Sequence, residues 1–328
     1  MNRIRLLSEN VANQIAAGEV VERPASVVKE LVENAIDARS RHITVEIQAG
    51  GRSLIRVSDD GIGMSRDDAL LCLERHATSK IQDAGDLASV QTMGFRGEAL
   101  PSIASVSRMV LTTREQDSDS VEASQVVIQG GRIAEVKATG APPGTTIEVR
   151  QIFFNLPARR KFLRSEETER AHIQNYLHLA ALAHPGVGFT FVQDERTLWQ
   201  LPPIAADSSG AGRLKALEER LRALYGREDR LLPLDFSTFI DPPASLELQE
   251  PERELAIWGF IGAPGVSRSA REQHHVFVNR RPVDNRGINY ALLEGYHTAL
   301  MKGRYPVCCL FLEIDPSLVD VNIHPAKR

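Results

Sequence analysis

The chain has 328 residues, 42% of them hydrophobic and 25% charged, which are the proportions of an ordinary soluble globular protein. This length exceeds what one hydrophobic core usually organises, so we expect two domains, and the composition excludes a largely disordered chain or a disulfide-stapled miniprotein. The formal charge of −4 excludes a strong overall attraction to nucleic acid, so any DNA-binding surface must be local.

The cysteines and the amino terminus indicate the compartment. Cys72 stands alone and Cys308 is adjacent to Cys309, so the cysteines do not have the spacing of a metal site. No apolar run has the length of a signal-peptide core or a membrane span. We therefore expect a cytoplasmic protein.

Helix and strand patterns are mixed in the first 200 residues or so. The predicted elements are, in chain order, a helix over 24–38, strands over 43–47, 54–57, 108–113, 126–128 and 145–149, and a helix over 167–183. Strands that follow one another so closely favour mostly antiparallel pairing over a doubly wound parallel sheet. The pattern predicts an α/β domain of the α+β kind.

A segment of small and turn-forming residues divides the chain. We expect a first domain over 1–204, a linker over 205–212 and a smaller α/β domain over 213–328. In this second domain we predict helices over 213–225 and 287–300 and strands over 276–278 and 308–314. It contains 16 basic and 16 acidic residues, so the whole charge of −4 belongs to the first part.

The predicted helix over 24–38 has an apolar stripe and a polar face. Glu30, Asn34 and Asp37 follow one another at helical spacing on the polar face. These residues form either a solvated surface or a site in which a carboxylate positions water and an amide oxygen binds a hard cation. The helix alone leaves both interpretations open.

A second candidate lies where a predicted strand ends. Asp59 and Asp60 precede Gly61 and Gly63, a pattern that suits a hairpin turn. A carboxylate at a strand end can also accept a hydrogen bond from an exocyclic amine such as that of adenine, and glycines would let a flat base approach. Both interpretations again remain open.

The third candidate is a glycine-bearing loop that opens a predicted helix. Its residues are Gly94, Phe95, Arg96, Gly97, Glu98, Ala99 and Leu100. Free backbone amides at a helix start bind phosphate oxygens, and Thr78, Ser79 and Lys80 upstream could add hydroxyls and a cation. The sequence contains neither a P-loop nor a Gly-x-Gly-x-x-Gly motif, so any nucleotide must be bound by another fold.

The order of these motifs resembles the GHKL, or Bergerat-fold, ATPases. Glu30 and Asn34 are followed by Asp59-x-Gly61-x-Gly63, by Gly94-x-x-Gly97 and by Gly144-Thr145-Thr146. The segments 13–24, 75–80, 94–100, 154–163 and 319–327 are similar, almost residue for residue, to the MutL mismatch-repair family. The resemblance covers nearly the whole chain and implies a GHKL sandwich followed by a smaller domain like the second domain of ribosomal protein S5.

The resemblance implies ATP and Mg²⁺ as cofactors and a role for each motif. Glu30 would activate water, Asn34 would bind Mg²⁺, and Asp59 would read adenine with Gly63 and Thr145 near the base. Thr78 to Lys80 and Gly94 to Leu100 would belong to the phosphate-binding segments, with the lid between Lys80 and Arg96. Lys327 would reach the terminal phosphate from the second domain, so that hydrolysis depends on both domains.

The resemblance also implies a set of partners. ATP would drive dimerisation through the first domain, helped by an arm before about Gln14, and slow hydrolysis would reopen the dimer. The second domain would bind DNA without reading its sequence, and Arg281 and Arg268 are the candidates because residues 268–286 carry a local charge of +3. A mismatch-recognition protein of the MutS type and a downstream helicase or endonuclease would be protein partners, in a nucleoid-associated cytoplasmic setting without membrane.

Two competing functions are weighed against this one. Another GHKL ATPase, such as a type II topoisomerase subunit or a chaperone, would share the nucleotide motifs but lack the segments that are similar to the MutL family. A non-catalytic DNA-binding adaptor with a vestigial pocket would not need Glu30, Asn34, Asp59 and Lys327 together.

Three positions depart from the family pattern. Arg39 and Arg280 stand where glycine is common, and Pro101 stands where a small residue is usual. Arg39 predicts a reshaped end of the helix over 24–38, because glycine is favoured past a helix end. Proline is tolerated in a first helical turn, so we expect the helix that opens near Gly97 to persist.

Overall fold

The computed structural model describes residues 17–18, 20–80, 92–94, 97–117, 120–207, 209–227, 230–240 and 253–319. The chain divides into two compact units. The first takes its described residues from Met1–Ala84, Thr92–His178 and Val187–Pro203, and the second from Leu179–Gly186 and Ile204–Arg328. Residues 179–183, the end of a long helix, belong to the second unit.

The first unit is built on a large mixed sheet. Its helices are α1 (Pro24–Asp37), α2 (Arg66–Leu71), α3 (Ala99–Ser105), α4 (Pro157–Phe162) and most of α5 (Glu166–Ala183). Its strands are β1 (His42–Gln48), β2 (Leu54–Asp59), β3 (Arg108–Arg114), β4 (Glu122–Gln129), β5 (Arg132–Gly140), β6 (Gly144–Arg150), β7 (Gly188–Gln193) and β8 (Arg196–Leu201). The strand order is β5-β4-β3-β6-β2-β1-β7-β8.

The pairing of this sheet confirms the expected mixed, mostly antiparallel architecture. Neighbouring strands run antiparallel except β1 and β7, which pair in parallel. Alternate residues of β1, Ile43, Val45 and Ile47, are buried, because successive side chains of a strand point to opposite faces. The apolar stripe of α1 packs on β1 and β2, and each fully buried aliphatic side chain contributes about 1.5–3 kcal/mol.

The second unit has its own core. Its helices are α6 (Gly210–Tyr225) and α7 (Arg286–Tyr296), and its strands are β9 (Leu231–Ile240), β10 (Arg253–Gly262), β11 (Ser267–Arg268), β12 (His274–Val278), β13 (Arg281–Pro282), β14 (Tyr305–Pro306) and β15 (Cys308–Ile314). The main sheet has the order β13-β12-β15-β10-β9, and β11 pairs with β14. Phe311 stacks on Trp258 and Phe277 at ring-centroid distances of 4.3 and 4.6 Å.

Several boundaries differ from the sequence prediction. Helix α6 begins at Gly210, inside the segment predicted as linker, because Ser209 caps it by accepting from the Gly212 amide. The helix predicted to reach residue 300 ends at Tyr296 and is followed by a 3-10 turn, His297–Ala299. Helix α3 begins at Ala99 and accommodates Pro101 in its first turn, as expected. The described helices include no segment long and apolar enough to span a membrane.

Candidate functional site

Helix α1 supplies the central side chains of the candidate site. It starts after Arg23 with Pro24 in its first turn, where a missing amide proton costs nothing. Val28, Leu31 and neighbouring apolar residues anchor the buried stripe. Glu30 keeps 23% of its side chain exposed, and its Oε1 lies 3.8 Å from Lys29 Nζ. The Glu30 carboxylate is therefore accessible to water.

Lys80 joins the segment predicted to bind phosphate to α1. Its Nζ donates to Asn34 Oδ1 at 2.9 Å and to Asp37 Oδ2 at 2.5 Å. The Lys80 backbone amide donates to Thr78 Oγ1 at 3.2 Å, while Ser79 is exposed. The structure thus brings Lys80 to the same helix that carries Glu30 and Asn34.

The glycine-bearing loop reaches the same point. The Met93 amide donates to Asp37 Oδ1 at 3.0 Å and the Gly94 amide to Asp37 Oδ2 at 3.3 Å. A Cβ at Gly94 would lie 3.3 Å from Lys80 Nζ, so a side chain there would crowd the ammonium group. Two amides and one cation converge on a single carboxylate.

Asp59 lies beside Ser40, three residues past the C-terminal end of α1. Its Oδ1 accepts from Ser40 Oγ at 3.0 Å and from the Gly61 amide at 2.9 Å, while Ser40 Oγ also donates to the Ala35 carbonyl. Burial raises the pKa of Asp59, and the hydrogen bonds from Gly61 and Ser40 partly offset this rise. The carboxylate is fixed in orientation and keeps acceptor capacity through its second oxygen.

Glycine is required on both sides of this carboxylate. Gly63 has a φ of 67°, and a Cβ there would lie 1.9 Å from the Arg114 carbonyl oxygen. Gly144 has a φ of 114°, and a Cβ there would lie 2.1 Å from the Asp59 carbonyl oxygen. Thr145, which follows Gly144, is the register partner of Asp59 on β6. The strands therefore place Asp59, Gly63 and Thr145 in one neighbourhood.

The loop before α3 is held against the segment around Ala77. Gly97 has a φ of 64°, and a Cβ there would lie 2.4 Å from the Ala77 carbonyl oxygen. Glu98 occupies the cap position of α3, with its Oε1 4.0 Å from His76 Nδ1. Ala99 and Leu100 form the first residues of that helix.

Three predicted site residues lie outside the described residues, namely Phe95, Arg96 and Lys327. The two DNA-binding candidates are in the second unit, on different sheets. Arg268 belongs to the β11–β14 pair, and Arg281 to β13 of the main sheet. Arg159, on α4, donates to the Gly18 and Val21 carbonyls within the first unit.

Three residues at the site have no role predicted from the sequence. Asp37 was noted only for its helical spacing, yet it accepts from Lys80 and the loop amides. Thr113 accepts from the Met64 amide and lies 3.0 Å, Oγ1 to Oγ1, from Thr145. Tyr176 donates to the Lys29 carbonyl, and its pKa is raised by burial and by the carboxylates of Glu33, Glu30 and Asp37. The spacing of Asp37 with Glu30 and Asn34 was the available signal; the other two depend on long-range packing.

Two family models match the chain. Residues 22–147 match "Histidine kinase-, DNA gyrase B-, and HSP90-like ATPase", and residues 242–328 match "DNA mismatch repair protein, C-terminal domain". The first match contains the α1, Asp59 and glycine-loop motifs. The second contains Arg268 and Arg281.

Curated relatives align with the chain from end to end. The DNA mismatch repair protein MutL of Opitutus terrae is 50% identical over 330 residues, covering 100% of this chain and 48% of the relative. MutL of Syntrophotalea carbinolica is 50% identical over 328 residues, covering 99% of this chain and 48% of the relative. The chain thus spans about half the length of the curated relatives it matches.

Solved structures share the fold. The Aquifex aeolicus MutL ATPase domain complexed with ADP has a TM-score of 0.61 and 27% identity, covering 90% of this chain and 94% of that one. The N-terminal domain of a DNA repair protein has a TM-score of 0.75 and covers 97% of this chain and 91% of that one; at 24% identity it supports the fold alone.

Proposed function

Because the chain belongs to the MutL family and spans the amino-terminal ATPase region of its members, we propose that it binds and slowly hydrolyses ATP as a switch in DNA mismatch repair. The observation that carries this proposal is the meeting of Lys80 Nζ with Asn34 Oδ1 at 2.9 Å, one helical turn past Glu30. A carboxylate, an amide oxygen and an ammonium group are the kinds of side chain that phosphoryl transfer to water uses.

The residues present suit Mg²⁺ bound together with nucleotide. Asn34 offers a hard amide oxygen on a half-buried helix face, and Mg²⁺ in nucleotide sites keeps most of its ligands as water and phosphate oxygens. One amide oxygen from the protein is therefore a sufficient anchor. When bound, the ion would neutralise charge on the phosphate oxygens.

In the proposed reaction Glu30 holds the attacking water and accepts its proton. The water oxygen bonds to the terminal phosphorus, the bond to the ADP oxygen breaks, and ADP and phosphate leave. Lys80 and the amides of the glycine-bearing loop would balance phosphate charge, and Asp59 would accept from the adenine amine beside Gly63 and Thr145. Lys327 is proposed as a second cation from the segment after residue 212.

The wider cycle is also proposed. We infer a nucleotide domain over 1–204, a linker over 205–212 and a domain over 213–328. ATP would favour a dimer through the first domain, and the second would hold DNA through Arg281 and Arg268. The switch would couple a MutS-type mismatch-recognition protein to a helicase or endonuclease at the nucleoid. The identity of about 50% with MutL proteins over the whole chain favours this role over that of a topoisomerase subunit or a chaperone.

Glu30→Ala tests the proposed hydrolysis. Nucleotide binding should stay near the wild-type level, while phosphate release falls about 10²- to 10⁴-fold because the base is lost. The variant should also accumulate as a dimer during size-exclusion chromatography with ATP and Mg²⁺, since hydrolysis no longer reopens it. Calorimetry and a phosphate-release assay measure the two steps separately.

Asp67→Asn provides the control, because Asp67 is exposed in the first turn of α2 and is not among the groups assigned to catalysis. Unchanged phosphate release from Glu30→Ala would remove Glu30 from the role of base. Binding without hydrolysis by the wild-type chain would favour the adaptor with a vestigial pocket.

A further inference from the structure

Asp37 occupies the centre of the phosphate-binding groups. Its two carboxylate oxygens accept from three donors: Lys80 Nζ at 2.5 Å, the Met93 amide at 3.0 Å and the Gly94 amide at 3.3 Å. These donors come from segments 43 to 57 residues away along the chain. The carboxylate thus draws the lysine and the loop onto the end of α1.

The three donors are the type that recognises a phosphate. An ammonium group and successive backbone amides ahead of a helix bind anionic oxygens through charge and aligned N–H groups. A carboxylate and a phosphate present the same chemistry to them, namely negatively charged oxygen acceptors. A donor that points at Asp37 must turn away from it, or be shared, in order to serve a nucleotide.

Lys80 makes a second contact that bears on the metal. Its Nζ also donates to Asn34 Oδ1 at 2.9 Å, the oxygen assigned above to Mg²⁺. An ammonium group and a divalent cation repel one another when they share one oxygen. The Asp37 contact therefore keeps Lys80 engaged with a carboxylate in place of a phosphate, and on the oxygen that Mg²⁺ would take.

The ion pair between Lys80 and Asp37 is largely shielded from water, and this shielding strengthens it. The side chain of Asp37 is 9% exposed and that of Lys80 is 18% exposed. Solvent and salt weaken such a partly buried ion pair less than an exposed one. The negative charge of Asp37 also lies where it would repel incoming phosphate oxygens.

We propose that Asp37 is an internal competitor of nucleotide phosphate, an autoinhibitory contact that holds Lys80, Met93 and Gly94 until ATP displaces it. This inference rests on the proposed nucleotide-binding function and adds a regulatory step to it. Binding then exchanges one anion for another: the carboxylate releases the three donors, the phosphate oxygens take them, and Asn34 becomes available to Mg²⁺. The competitor sets a threshold on the ATP concentration at which the switch turns on.

Asp37→Asn tests the competition, because it removes the charge and keeps the shape of the side chain. If the carboxylate holds the donors about nine-tenths of the time, the Kd for ATP with Mg²⁺ should fall about tenfold in the variant. Calorimetry on the full chain with Glu30→Ala in both backgrounds prevents hydrolysis during the titration. Asp67→Asn, which removes an exposed carboxylate from α2, should leave the Kd unchanged.

The outcomes separate two kinds of failure. Tighter binding by Asp37→Asn alone supports the competitor, whereas equal or weaker binding shows that Asp37 merely positions Lys80 and overturns it. No binding by any of these proteins contradicts the proposed function and this inference together. If Asp37→Asn fails to give a wild-type unfolding curve, Asp37→Ser, which also removes the charge, is measured in its place with the same expected direction.

Discussion

Asp59 shows how one residue can link ligand recognition to pH. Burial raises its pKa above the ordinary value of 3.8, with a further rise from Asp60 and an offset from the Gly61 and Ser40 hydrogen bonds. The fold therefore favours the protonated carboxyl relative to the unfolded chain. In the proposed site the ionised carboxylate accepts from the adenine amine. The packing around Asp59 must therefore stabilise the fold against the unfavourable ionisation of a buried group.

Comparing the stability of the wild type with that of Asp59→Asn, which cannot ionise at this position, should reveal the titration of Asp59. Because the folded pKa is the higher one, the stabilising contribution is fully present below the unfolded pKa of 3.8 and is lost as pH rises through the folded value. The free energy of unfolding of the wild type relative to the variant should therefore increase as pH falls from about 7 toward 4. Urea unfolding of both proteins at several pH values measures it, and a difference independent of pH would contradict the assignment.

The end of α1 is held by a regular capping pattern with an unusual residue in it. Arg39 has a φ of 60°, its amide donates to the Ile36 carbonyl, and the Ser40 amide donates to the Ala35 carbonyl. These two bonds form a Schellman motif, in which the left-handed position normally belongs to glycine. The departure at Arg39 therefore leaves the helix end intact and stores backbone strain instead.

Arg39→Gly should release that strain. We expect the free energy of unfolding to rise by about 1 kcal/mol, because an L-residue in the left-handed region costs about 1–2 kcal/mol and glycine loses part of the gain to chain entropy. Thermal or urea unfolding measures the change. Arg41→Gly, at a position without a positive φ, should lower stability instead. Equal effects at both positions would show that the cap is not strained.

A β-turn in the second unit repeats this situation. Asn279 and Arg280 connect β12 to β13 with φ values of 47° and 65°. Two positive φ values in a two-residue hairpin are typical of a type I′ turn, for which Asn-Gly is the favoured pair. Both arginines that depart from the family pattern thus keep the backbone that glycine would adopt, so the surrounding packing dictates the conformation.

The sequence predicted those elements in which buried and exposed residues alternate with the period of a helix or a strand. The polar and apolar faces of α1 and the alternation in β1, β2, β3 and β6 were visible in the sequence, and the structure contains them. Strand β5 was not predicted, because its residues are exposed almost throughout and its formation depends on pairing with β4. Strand β9 contains Pro233 and was also missed; the proline is accommodated because β9 lies at the edge of its sheet.

The site was predictable to a similar degree. Motif order brought Glu30, Asn34, Asp59 and the glycine-bearing loop into one hypothesis through resemblance, and the structure places the described members of this set around α1. The contacts of Asp37 with Lys80 and Gly94 could not be predicted, because no local pattern specifies which carboxylate a distant lysine meets. Such contacts follow from tertiary packing and have no sequence period.

Charge is distributed unevenly over the whole molecule. Residues from 213 onward contain 16 basic and 16 acidic side chains, whereas the preceding part carries the net −4. Within the neutral part, residues 268–286 have a local excess of +3. A near-neutral chain can therefore contain a locally basic segment, and the proposed DNA contact lies in it.

Arg281→Glu tests whether this basic segment contacts DNA or whether only the total charge of the molecule matters. If Arg281 contacts a phosphate, DNA binding should weaken several-fold at low salt, and the slope of log affinity against log salt should shrink by about one unit. ATP hydrolysis without DNA should stay near the wild-type rate, because Arg281 is not among the groups assigned to the nucleotide. Arg222→Glu on α6 makes the same change of total charge and should leave the slope unchanged. Equal losses in both variants would mean that total charge, and no contact at Arg281, controls binding.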